Sequence, residues 1–454
     1  LLVPGDGPTT AAGSSAGRAA AVDNLGRRRD TLFRRFGEAP APKRIDHMTV
    51  MAGPAEAKGR RRALAAICLS LVLTMSTWFS ATAVAPELAA LWRLSEVAAA
   101  ALTIAVQAGF VAGALVLGLG NLPDIVPVRR LMISAALVAA AANALPLLVP
   151  EFGVALAARF LTGLCLAGLY PPALKLLATW FVTGRGAALG AAIAALTLGS
   201  ALPHLLRATV ETDWRLVVAA TSMATLAGGL ILLVAVREGP YPFPVARFDP
   251  GQVGRVVRNR AVMLASLGYF GHMWELYAMW AWIFAFTTSA FAAQTVAIAP
   301  SLVTFLAIAA GAVGCVGGGL LADRIGRTVT TSGVMLVSAA CALSIGLVHD
   351  GPLWAFVVVV AVWGATIVGD SAQFSAIVTE AGERDLVGTA LTLQLGIGFA
   401  LTIAAIWLIP AMVATLGGWP WAFVVLVPGP LIGAAAMLTL RRLPEAARIA
   451  GGRG

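Results

Sequence analysis

Three charged residues, Arg159, Glu275 and Asp370, stand deep inside long apolar runs. Insertion into lipid costs about 2.5–3.5 kcal/mol for each, on the order of 10 kcal/mol together, so pairing or a wet cavity must offset them. Arg159 stays charged and can hold a carboxylate bidentately, which suits an anion-binding or proton-modulating group. The competing reading is a packing residue tied to backbone carbonyls or to a neighbouring carboxylate. His272 and Glu275 are three residues apart and share one helical face. A carboxylate beside an imidazole can exchange a proton, or the two can form a structural hydrogen-bonded pair. Tyr277 lies on the same stretch with Tyr269, Trp274, Trp280 and Trp282, rings that line a cavity, pack the interior or anchor a membrane interface. Asp370 is followed one turn later by Gln373 and preceded by Gly364 and Gly369, which can loosen a helix so that its carbonyls meet solute or ion. Gln107 and Gln394 are uncharged candidates for the same cavity, or interhelical hydrogen-bonding groups.

Other chemistry is excluded by what is missing from the sequence. Cys68, Cys165, Cys315 and Cys341 sit in apolar runs without CxxC spacing, so neither a metal site nor a redox pair is expected. No P-loop, no HExxH, no His cluster and no GxSxG with a His partner occurs, so no enzyme and no cofactor are expected.

The elements that position these residues follow from composition. Hydrophobic residues make up 59% of the 454-residue chain and charged ones 12%, far from the balance of soluble domains. Lipid is the solvent for such a surface. The net charge of +10 comes from basic residues scattered between apolar runs, which suits membrane topology and not nucleic acid. Spans of about 20 residues are predicted near 63–84, 97–119, 130–149, 153–178, 187–206 and 215–236, then near 261–286, 297–321, 328–348, 353–378, 386–409 and 419–441. The expected organisation is a tail over 1–62, a six-helix bundle over 63–236, a Pro- and Arg-rich linker over 237–260, a second bundle over 261–441 and a short tail over 442–454. The first tail reads as disordered or as an over-extended reading frame, with Met48 or Met51 as candidate starts. Lys58, Arg60, Arg61 and Arg62 abut the first span, and most other loop arginines fall on the same side, leaving Arg93, Arg207 and Arg215 opposite. Both termini are therefore expected in the cytoplasm.

A repeat divides the chain. Gly120, Asp124, Arg129 and Arg130 follow the second span; Gly319, Asp323, Arg324, Gly326 and Arg327 follow the eighth. The second set resembles the loop signature of the major facilitator superfamily throughout: Gly, three residues, then Asp-Arg-x-Gly-Arg. The first keeps the Gly, the Asp and the arginines, with Ile125 and Pro127 where Arg and Gly are usual. Arg159 through Gly168 resembles the intramembrane Arg motif of the family's fourth span, with Thr162 in place of Gln. Gly271–Trp280 and Asp370–Ser375 are similar to a bacterial branch of nitrate/nitrite- and cyanate-type carriers.

The resemblance implies an all-α membrane protein of twelve spans in two pseudo-symmetric six-helix bundles. It implies a monomeric, proton-coupled carrier of a small solute, organic or inorganic anions included, in the bacterial inner membrane. The two loops are expected to gate the cycle. The family's antiporter motif is not reproduced around Thr197–Pro203, which favours uptake. Efflux of a metabolite or drug is the alternative, and a non-transporting sensor with a carrier fold is a further one.

Overall fold

The computed structural model describes residues 54–181, 184–209, 213–241, 249–292, 298–383 and 385–454. The side chains of residues 54–57, Glu96 and Asp124 lie outside the described set, as do Met48, Met51 and Arg384. Twelve principal helices run through the described residues, with shorter helical segments between them. In the first half they are α1 Pro54–Met75, α2 Glu96–Leu119, α3 Val128–Leu148, α4 Phe152–Ala167, α5 Arg185–Thr209 and α6 Trp214–Ala235. In the second they are α7 Arg260–Ala292, α8 Pro300–Ile325, α9 Arg327–Ser344, α10 Leu353–Gly369, α11 Val387–Leu416 and α12 Pro428–Arg441.

Ten of the described helices are long and apolar enough to cross a membrane; α1 and α7 fall short. The reasons are legible. The first turns of α1 carry Lys58, Arg60, Arg61 and Arg62, and α7 carries His272, Glu275 and a crowd of Tyr and Trp. Leu148, Val234, Val313, Leu347 and Trp354 are among many large apolar side chains left uncovered on the outside, the surface expected of helices in lipid.

Three spans are interrupted. α1 stops at Met75 and resumes as the short helices Ser80–Ala83 and Ala85–Trp92. α4 stops at Ala167 and continues as Tyr170–Ala178, where Pro171 and Pro172 fall in the first turn and cost no hydrogen bond. α10 stops at Gly369 and continues as Ser371–Ala381, with Asp370 at the break. α4 and α10 are thus broken at matching places. Helix α1 also begins at Pro54, inside the stretch expected to be tail.

Packing repeats with a period of six helices. α2 packs on α4, α3 on α6, and α1 on α5 and α6; α8 packs on α10, α9 on α12, and α7 on α11 and α12. The two halves meet through α2 against α11 and α5 against α8, again a symmetric pair. Small residues permit the closest crossings. A Cβ on Gly163 would lie 1.9 Å from the Val106 carbonyl oxygen of α2, and one on Gly364 would lie 1.8 Å from that of Ala307 on α8. Gly364 therefore serves close packing, and the loosening expected of it falls instead at Gly369–Asp370.

Candidate functional site

The α1 break is held from behind by the buried Arg159. Its Nη1 donates to the Thr77 carbonyl (2.7 Å), Ser80 Oγ (3.0 Å) and Asn143 Oδ1 (3.1 Å), and its Nη2 donates to the Trp78 carbonyl. Asn143 on α3 passes the network on, donating to Ser222 Oγ (2.9 Å) and Thr221 Oγ1 (3.1 Å) of α6. Hydroxyls supply the other half of the break: Ser76 and Thr77 donate to the carbonyls of Leu73 (2.6 Å) and Thr74 (3.0 Å), offering the backbone an alternative to the helix ladder. Of the two roles expected for Arg159, the geometry realises the tie to backbone carbonyls.

A matching tether built on an acidic side chain sits in the second half. Glu275 on α7 accepts from Ser338 Oγ of α9 (2.8 Å) and Trp363 Nε1 of α10 (2.6 Å). Helices α1, α3 and α4 are thus joined around a cation, and their counterparts α7, α9 and α10 around a carboxylate. His272 does not pair with Glu275. Its Nδ1 lies 2.8 Å from Asp370 Oδ1 and its Nε2 lies 2.8 Å from Ser371 Oγ, so the imidazole bridges α7 to the α10 break. His272 and Asp370 are both almost wholly buried.

Between the halves lies an aromatic box. Trp78 and Phe110 from the first half meet Tyr277 and Phe399 from the second. Trp78 stacks on Tyr277 (centroids 5.3 Å apart, planes 28° apart), and Phe110 lies 4.2 Å from Phe399. Phe79 and Trp280 extend the contact, edge to face at 5.9 Å. The same seam holds polar groups without partners among the described residues: Trp78 Nε1, Trp280 Nε1, both amide atoms of Gln107, Ser200 Oγ and both ring nitrogens of His204. Gln107 is one turn before Phe110 on α2. Gln394 also has an unpartnered Nε2; one turn on, Gly398 packs so tightly on the Tyr269 ring that a Cβ there would lie 2.3 Å away.

The two ends of the bundle carry different clusters. At the end bearing the α2–α3 and α8–α9 loops, Arg327 binds Glu380 through Nε (3.0 Å) and Nη2 (2.8 Å), and its Nη1 donates to Gln373 Oε1 (2.7 Å). Gln373, expected near the solute, thus belongs to this ion-pair cluster. Gly326 takes φ +102°, and a Cβ there would collide with the Arg453 carbonyl, so only glycine fits the turn. The main-chain N–H of Ala450 also donates to Glu380 (2.9 Å), and Arg453 donates to the Asp323 carbonyl. In the first loop Arg129 donates instead to the carbonyls of Leu232 (3.1 Å) and Leu233, at the negative end of α6. Gly120 caps α2 and needs no positive φ; Gly319 is half-buried, and Arg130 and Arg324 are exposed. At the far end, Arg207 pairs with Glu87 (2.6 Å) and the Ala83 carbonyl (2.7 Å), and its guanidinium lies 4.7 Å over the Phe284 ring of α7.

Sequence reasoning missed Trp78, Phe110, Phe399, Asn143, Ser338, Trp363 and Glu380. The first span carries a run of hydroxyls at Ser70, Thr74, Ser76, Thr77, Ser80 and Thr82, groups that compete with the helix ladder but do not mark a break until partners for the freed carbonyls are in place.

Two matched six-helix halves in lipid, meeting along a seam of stacked rings and unsatisfied donors and carrying a separate ion-pair cluster at each end, define a polytopic membrane carrier. The description Major Facilitator Superfamily matches residues 66–401, and the chain belongs to that family. It is a transporter working by alternating access and not an enzyme. No curated protein matches it. Among solved structures it is similar to a bacterial homologue of the human lysosomal transporter Spinster in an inward-facing, unoccupied conformation. The TM-score is 0.61 at 14% identity, over 85% of this chain and 97% of that one, a likeness of fold alone.

Proposed function

We propose that the protein is a proton-coupled uptake carrier of a small solute in the bacterial cytoplasmic membrane, with both termini in the cytoplasm. The observation that carries coupling is the buried His272–Asp370 pair at the α10 break. A proton on this pair changes a contact between α7 and a discontinuous helix, so protonation and helix geometry are linked. Glu275, one turn along α7 and held only by the neutral donors Ser338 and Trp363 among the described residues, is the second proton-exchanging group. The wording that resembles nitrate/nitrite- and cyanate-type carriers falls on α7 and this break, so it speaks for coupling. The basic residues around the α2–α3 and α8–α9 loops favour that end as cytoplasmic. One copy suffices, since a single chain supplies both faces of the seam.

The test is a panel of solutes added outside proteoliposomes that enclose a pH-sensitive dye. Symport acidifies the lumen on solute addition, whereas lumenal alkalinisation would replace uptake by antiport. In Asp370→Asn the dye response disappears while counterflow exchange persists. A full dye response in that variant would remove the pair from the mechanism.

A further inference from the structure

We infer that the central site takes an uncharged, flat ring compound that carries hydrogen-bond acceptors. This inference rests on the carrier reading and specifies its cargo.

The box is built from both halves, so it opens and closes with the cycle. Its rings pack on one another across the seam: Trp78 on Tyr277 at 5.3 Å, Phe110 on Phe399 at 4.2 Å and Tyr277 beside Phe399 at 5.2 Å. In the closed arrangement each ring occupies the place that a planar solute would take between them when the halves part. Offset and tilted ring contacts of this kind add only modestly to the gain from burial. Replacing one ring–ring contact by a ring–solute contact is therefore nearly neutral, as a carrier that must release its cargo requires.

The polar groups specify the rest. Trp78 and Trp280 are fully buried, yet neither indole N–H has an acceptor, and Gln107 is fully buried with its whole amide unpartnered. A buried donor left unpaired is costly, and a solute acceptor supplies what is missing. An indole N–H can only donate, so the cargo must accept. Ring stacks can hold a cation, but a cation gives these donors nothing, and the nearest buried carboxylate on α7, Glu275, faces Ser338 and Trp363. An anion fares no better. Arg159, the residue that suggested one, gives both terminal nitrogens to the α1 break, Ser80 and Asn143. Charge is thus kept out of the box, while flatness and acceptors are matched.

Three probes of one shape and different charge decide the matter: nicotinamide (neutral), nicotinate (anion) and 1-methylnicotinamide (the ring-methylated pyridinium cation). Binding to the detergent-purified protein is read by calorimetry, and flux in proteoliposomes by radiolabel. Nicotinamide, or the neutral ring benzamide, is expected to bind, with nicotinate and the cation at least tenfold weaker. Trp78→Phe keeps an aromatic ring, smaller than the indole, and removes the N–H, and Gln107→Leu keeps the bulk; each weakens the neutral probe about tenfold, one hydrogen bond's worth. Tighter binding of either charged probe, no binding of any neutral ring, or full affinity in both variants would overturn the inference. Charged probes crossing the bilayer would leave the carrier reading standing, whereas binding of the neutral ring with no flux of any probe would refute that reading and leave the site.

Discussion

Arg159 is a cation that spends both terminal nitrogens on its own chain, and this decides how it fails. Arg159→Lys retains the charge but cannot reach the carbonyls of Thr77 and Trp78 together with Ser80 and Asn143. The expected loss is about 3 kcal/mol, the cost of breaking a buried, hydrogen-bonded charged group, seen as a fall in the thermal unfolding temperature. A solute-binding arginine would instead tolerate lysine in stability and change affinity. Glu275→Gln keeps the size and both acceptor contacts, so its unfolding temperature should stay close to that of the parent while accumulation driven by a pH gradient is lost; unchanged accumulation would confine Glu275 to tethering. The costly residues were legible in the sequence because charge in an apolar run is conspicuous. Their partners were not, since Asn143, Ser338 and Trp363 are ordinary residues until folding aligns them, and a ring such as Trp78 looks the same whether it packs or lines a site.

Helices cross at backbone distance in each half, and a side chain at the crossing forces them apart. Gly314→Leu would drive its Cβ into the Ala365 carbonyl at 1.8 Å. A loss of about 3 kcal/mol or more, read as loss of monodisperse protein in size-exclusion chromatography, is expected. Gly317→Leu, whose Cβ meets nothing, serves as its control. The Arg327–Glu380 pair belongs to this scale too, because it ties the start of α9 to the lower segment of α10. Single alanine substitutions at the two positions should change transport similarly, and the double substitution should be little worse than either, since residues sharing one contact do not add. Span number and order could be read from hydropathy, and the breaks in α4 and α10 from their Pro and Gly. The break in α1 could not, because hydroxyl groups bend a helix only when a partner such as Arg159 receives the freed carbonyls.

The molecule as a whole is two copies of one packing scheme joined along two helix pairs. Gly118 of α2 and Thr392 of α11 face each other across the seam, with 3.1 Å from a Cβ at 118 to Thr392 Cγ2. A cysteine at each position, joined by a short bifunctional reagent, should stop turnover, and reversal of the link should restore it. Continued transport with the link intact would mean that these helices do not separate during the cycle. The repeat in the two loops announced this duplication from sequence, yet the ring box along its axis is formed by residues far apart in the chain that no local pattern connects.

Glu380 is gripped from two sides, by the guanidinium of Arg327 and by the peptide N–H of Ala450. The last dozen residues are therefore tied to the same carboxylate as the second loop. If that loop gates the cycle, a bulky fusion or a binding protein hung there is expected to slow turnover with no contact to the solute, which flux measurements on the fused protein would read.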